Sequence, residues 1–171
     1  MTMHRLRAPG GLSLALLLVL SAATAQAQQF IATGRDTLRG LPGVEVIVEG
    51  IEPVFERGGL NAAAIQADVV ARLAEAGIPI YASQKLNPSV AKAYVYVDIT
   101  GLKVGRDGYA IGVQLHLRQT VRSSVTNSNV VNAMTWDQHT VVFVPPSRLK
   151  EVRTVVQSQV EQFVEDWQAV H

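Results

Sequence analysis

The stretch Tyr109-Ala110-Ile111-Gly112-Val113-Gln114-Leu115-His116-Leu117-Arg118-Gln119-Thr120-Val121-Arg122 decides the fold class of this chain. Tyr109, Ile111, Val113, Leu115 and Leu117 share one face of an extended strand, and Gln114, His116, Arg118, Thr120 and Arg122 share the other. Period-two alternation sustained this long predicts a strand with one buried and one wet face. The preceding segment, Ala93 to Val104, alternates in the same way, with Ala93, Val95, Val97 and Ile99 set against Tyr94, Tyr96, Asp98 and Thr100.

The turn between these strands sets their register. Apolar positions are odd-numbered in both, so opposed residue numbers must sum to an even value if paired side chains are to share a face. A two-residue Asp107-Gly108 turn would pair Arg106 with Tyr109 and push one apolar face into water. A three-residue loop, Arg106-Asp107-Gly108, pairs Gly105 with Tyr109 and offers a glycine for the left-handed position such loops need. That register puts Asp98 opposite His116, Tyr96 opposite Arg118, Tyr94 opposite Thr120 and Thr100 opposite Gln114.

Outward from the hairpin, the Ser/Asn-rich segment from Ser123 to Asn132 reads as a loop and Met134 to Val144 as a further strand, ended by Pro145-Pro146. The face taken by Trp136, and with it that of His139, is open. Ser147 is placed to cap a final helix whose apolar residues Leu149, Val152, Val156, Val160, Phe163, Trp167 and Val170 recur at intervals of three and four. On the amino-terminal side, Val44, Val46 and Val48 alternate with Glu45, Ile47 and Glu49, which predicts a half-buried strand over Val44 to Ile51. Asn61 is a good N-cap for a helix that carries Ile65, Val69 and Leu73 four apart, and Gly77 sits where a left-handed C-cap is wanted. Ile78 to Ala82 reads as a short strand after that helix, and Ser83 to Ala91 as a loop. The order β-α-β-β-β-β-α predicts an α+β two-layer sandwich, a mainly antiparallel five-stranded sheet with two amphipathic helices on one face. The first strand-helix-strand unit suits a parallel crossover.

The amino terminus has a different purpose. Arg5 and Arg7, an apolar run from Leu12 to Ala23 and the triplet Ala25-Gln26-Ala27 are the parts of an export signal cleaved near Ala27. The run is shorter than the roughly 20 apolar residues a membrane span needs, so stable membrane insertion after cleavage is not expected. Residues 28–43, polar and broken by Gly34, Gly40, Pro42 and Gly43, read as a flexible arm ahead of a single domain over 44–171. The chain has no cysteine, which excludes disulfides, thiolate metal sites and the lipid attachment of a lipoprotein signal, and points to a soluble periplasmic location. Of the fifteen basic residues two leave with the signal, so thirteen face fourteen acids, for a net charge of −1. The remaining Lys and Arg are scattered singly, which argues against nucleic acid as a partner.

Leu41-Pro42-Gly43-Val44-Glu45-Val46-Ile47-Val48-Glu49, Ala76-Gly77-Ile78-Pro79, Tyr94-Val95-Tyr96-Val97, Thr135-Trp136 and the closing helix together resemble a widespread group of exported bacterial proteins of unassigned function. In order of elements the chain is also similar to the amino-terminal domain of the Tol translocation protein and to periplasmic accessory domains of envelope assemblies. The resemblance implies an envelope location and no catalytic motif.

The chemistry on offer is thin. Asp98 opposite His116, with Asp137 and His139 nearby, could supply a general base or a metal site, but mid-strand positions on a flat face fit a cross-strand ion pair better. Gly101, Gly105 and Gly108 around Lys103 lack the Gly-Lys-Ser/Thr ending and following helix of a phosphate loop, and Ser123, Ser124 and Ser128 lack a nucleophile elbow. No cofactor is expected. Tyr94, Tyr96, Asp98, His116 and Arg118 form the candidate interaction face, because aromatics and Arg on a polar sheet face are residue types enriched at interfaces. The sequence therefore points to a non-catalytic module that binds an unidentified envelope protein, with an apolar-ligand carrier as the alternative and a small hydrolase third.

Overall fold

The computed structural model describes residues 34–81 and 93–171. The signal segment 1–27 and the loop expected over Ser83 to Ala91 lie outside the described residues. Residues Gly34–His171 form one compact unit.

Among the described residues, four strands build a single mixed sheet in the order β1-β2-β3-β4: β1 is Glu45–Val48, β2 Tyr94–Val104, β3 Gly108–Arg122 and β4 Asn129–Val144. β1 runs parallel to β2, and the two remaining pairings are antiparallel. The expected count of five strands is corrected to four among the described residues. Ile80 makes only an isolated parallel bridge to Val44, held by Val44 N–H to the Pro79 carbonyl and Tyr81 N–H to the Val44 carbonyl. Pro79 can donate no ladder hydrogen bond, which helps keep this segment from becoming a strand.

Among the described residues, three α-helices accompany the sheet: α1 at Pro53–Arg57, α2 at Ala62–Glu75 and α3 at Val152–Gln168. The sequence reading treats Pro53 as a breaker, whereas the structure places it in the first turn of α1, where its missing N–H costs nothing. The ends of α2 follow from its sequence. Asn61 accepts from the Ala64 N–H at 2.9 Å, and Gly77, at φ +83°, lets the Gly77 and Ile78 N–H groups close on the Ala74 and Leu73 carbonyls. Ile65, Val69 and Leu73 are buried, as their spacing requires. The closing helix begins later than expected: a 3-10 turn at Pro146–Glu151 precedes α3, and Ser147 is not its cap.

Every described helix lies on one side of the sheet. Phe55 of α1 rests against Gly101 and Ile111, α2 packs over β1, and α3 packs over β3 and against α2. The face they cover is the odd-numbered one read from the alternation: Val95, Val97, Ile99, Ile111, Val113, Leu115 and Leu117 are all buried. Burial of a side chain of this size contributes about 1.5 to 3 kcal/mol, so this row is a substantial source of stability.

Residues 34–43 are not a free arm. Gly34–Leu38 forms a 3-10 turn, and Leu38 and Leu41 are in the core. Arg35 donates to Asp166 Oδ1 at 2.8 Å, Trp136 Nε1 donates to Asp166 Oδ2 at 2.9 Å, and Thr37 Oγ1 donates to the Thr135 carbonyl at 3.0 Å. Asp166 of α3 therefore ties the amino-terminal turn to β4. Trp136 takes the core face, edge-on to Phe163 with centroids 5.0 Å apart.

Candidate interaction face

The β2–β3 loop is Gly105-Arg106-Asp107, with Gly105 at φ +60° and Val104 paired with Gly108. The pairing keeps the even-sum parity and the three-residue loop but slides by two residues from the expected register. Tyr94 opposes Arg118, Tyr96 opposes His116, Asp98 opposes Gln114 and Thr100 opposes Gly112. Asp98 and His116 are thus not a cross-strand pair. Across β3 and β4, His116 opposes Asp137 and Gln114 opposes His139, so both β4 residues share the outer face with the candidate cluster.

Four of the five candidate residues converge. The His116 imidazole stacks on the Tyr96 ring, centroids 5.1 Å apart and planes 23° apart, and Tyr94 meets Tyr96 edge-on at 6.3 Å. Arg118 Nε donates to His116 Nε2 at 3.0 Å, and its guanidinium carbon lies 5.8 Å from the Tyr96 centroid. An acceptor Nε2 puts the imidazole proton on Nδ1, and that atom is buried with no hydrogen-bond partner. Burial, and then the positive charge of Arg118, lower the His116 pKa against a smaller opposing pull from Asp137. His116 is only 3% exposed although it belongs to the outer face, so its neighbours shield it.

Glu49, which follows β1, completes the group, and sequence reading missed it. Its side chain hydrogen-bonds the Tyr96 hydroxyl, which together with burial pushes the Tyr96 pKa up to about 12. Asp98 titrates above the usual carboxylate range because of burial first, then the charge of Glu49 and a hydrogen bond with it. The alternation of Glu45, Ile47 and Glu49 already places Glu49 on this face. Its neighbours could not be read, because the parallel pairing of Ile47 with Tyr96 is long-range.

The other end of the same face is apolar. Leu102 and Val104 of β2 and Val141 and Phe143 of β4 are exposed, at 71%, 44%, 64% and 59%. They flank Ala110 and Gly112 of β3, which pair with Leu102 and Phe143 and with Val141 respectively. Between sheet and helices, the void bounded by Val69, Leu73, Val95, Leu115, Val160 and Phe163 does not admit a water molecule. A groove of about 260 Å³ lies between α2 and α3, lined by helix residues and spanned by the ion pairs Arg72–Glu161 and Arg153–Asp68. Among the described residues no three His, Asp or Glu side chains converge as metal ligands, and no helix is long and apolar enough to cross a membrane.

No family model and no curated protein matches this chain. Among solved structures it is similar to the dodecamer of a PelC point variant from Paraburkholderia phytofirmans, at 16% identity and a TM-score of 0.43, over 76% of this chain and 90% of that one. A likeness at that level carries no argument about function.

Proposed function

We propose that this chain is a non-catalytic, exported module that binds another component of a bacterial envelope through the outer face of its sheet. The observation that carries the reading is the shared packing of Tyr94, Tyr96, His116 and Arg118 on the face opposite the helices, braced by Glu49. Aromatic and Arg side chains fixed in advance lose little entropy on binding, which is what makes such residues effective anchors. The export address rests on the composition of residues 1–27, and the resemblance to exported proteins of unassigned function agrees with it.

The void bounded by Val69, Leu73, Val95, Leu115, Val160 and Phe163 is too small for a ligand, which weighs against an apolar-ligand carrier at that point of the layer. The register weighs against a hydrolase, since Asp98 opposes Gln114 and His116 Nε2 already accepts from Arg118. In-envelope crosslinking followed by affinity capture tests the proposal, with the wild-type chain compared against Tyr96→Ala/Arg118→Ala. Loss of a crosslinked partner is expected. An unchanged set of partners would refute the role of this face.

A further inference from the structure

The apolar end of the outer face has no cover among the described residues, and its shape, charge and area all specify what fits it. Leu102 and Val104 on β2 form one ridge and Val141 and Phe143 on β4 form another, with the small residues Ala110 and Gly112 of β3 as the floor between them. The Phe143 ring leans over Gly108, where an added Cβ would come within 2.8 Å of its Cζ, so this ridge is seated in place. Thr100, Leu102, Val104, Ala110, Gly112, His139, Val141 and Phe143 make up this half of the face, and none of them is an Asp, Glu, Lys or Arg.

We infer that this surface is a two-fold interface, at which a second copy of the chain packs its outer sheet face against the first. The inference deepens the reading of the outer face as an interaction surface and uses the half of it that the Tyr96–Arg118 cluster leaves free. Two-fold packing demands a surface complementary to itself. A groove of Ala110 and Gly112 beside a ridge of Val141 and Phe143 meets that demand, because each copy supplies a ridge for the other's groove. The absence of formal charge removes the like-charge repulsion that two identical surfaces otherwise meet. The four exposed side chains present roughly 400 Å² of apolar area per copy, at the size where patches on monomers become functional. Two copies would cover about 800 Å², and an interface about 65% apolar would then bury about 1,200 Å² in all, the lower end of what a specific complex needs.

Pairing through the free edge of β4 is the competing arrangement, and it leaves Leu102, two strands inward, exposed. Leu102→Glu separates the two. Leu102 is 71% exposed, so the variant should fold and melt like the wild type. Sedimentation equilibrium of the purified chain at about 50 µM should give a dimer for the wild type and a monomer for Leu102→Glu, because burying a carboxylate in each half of an apolar interface should weaken association at least about tenfold. A monomeric wild type overturns the inference, as does a Leu102→Glu protein that remains dimeric. Neither outcome bears on the envelope-capture comparison, which reads the Tyr96 and Arg118 end alone. Val141→Lys, on the opposite ridge at 64% exposure, should dissociate the dimer equally; if Leu102→Glu melts early, Val141→Lys decides by the same two outcomes.

Discussion

Asp166→Ala should destabilise the domain by about 2 to 3 kcal/mol, most of it from one buried hydrogen bond. Asp166 is 7% exposed and accepts from Trp136 Nε1 at 2.9 Å through Oδ2 and from Arg35 through Oδ1. Truncation leaves the buried indole N–H without an acceptor, at a cost of about 1 to 3 kcal/mol. The Arg35 side chain is 51% exposed and can turn to water, so its share is the modest one of a half-solvated ion pair. Looser seating of the Gly34–Leu38 turn, whose Leu38 is buried, accounts for the remainder. Urea denaturation followed by far-ultraviolet circular dichroism reads the change directly. A double-mutant cycle with Trp136→Phe isolates the indole bond: once the donor is gone, Asp166→Ala should cost about 1 kcal/mol less. Asp166→Asn, which keeps an acceptor oxygen, should be milder than Asp166→Ala. A loss under about 0.5 kcal/mol, or strictly additive single and double variants, would refute Asp166 as the tie between the amino-terminal turn and the sheet.

Two further outcomes follow from the packing and the electrostatics. Gly101→Ala should cost about 1 to 3 kcal/mol, because the added Cβ would lie 2.8 Å from Ile111 Cδ1 and collide with the Phe55 ring, both in the core; an unchanged urea midpoint would show that Phe55 can move aside. The lowered pKa of His116 means that the unfolded chain takes up its proton first as pH falls through the ordinary histidine range, so His116 subtracts stability there and not above it. His116→Gln should therefore flatten the decline in stability between about pH 7 and pH 5, and an equally steep profile in wild type and variant would remove His116 as its source.

Much of the fold could be read from alternation and from helical stripes, because both report burial, a local consequence of the chain's periodicity. The core face of β2 and β3 and the buried stripe Ile65, Val69 and Leu73 are of this kind. What could not be read depends on tertiary contacts. Residues 34–43 carry Gly and Pro and no period, yet two isolated leucines and a salt bridge 131 residues away in sequence fix their described structure. The hairpin register turns on the choice between two glycines. Both Gly105 and Gly108 suit a left-handed loop position, but Gly108 is needed elsewhere: an added Cβ would lie 2.6 Å from the Val144 carbonyl oxygen, so close packing against β4 claims it. Gly105 is left for the turn, and the register slides by two.

That slide decides what the outer face can do. In the expected register a carboxylate faces an imidazole, the minimum for acid–base chemistry. In the observed one, Asp98 lies two residue pairs further along and shares its environment with Glu49, while His116 lies between Tyr96 and Arg118. The imidazole's acceptor nitrogen is held by a permanent cation and its other nitrogen is buried, so protonation is opposed from both sides. A histidine stacked on Tyr96 and hydrogen-bonded to Arg118 is placed as a wedge between them. It holds Tyr96 and Arg118 in place beside it, the arrangement that the proposed contact through this face requires.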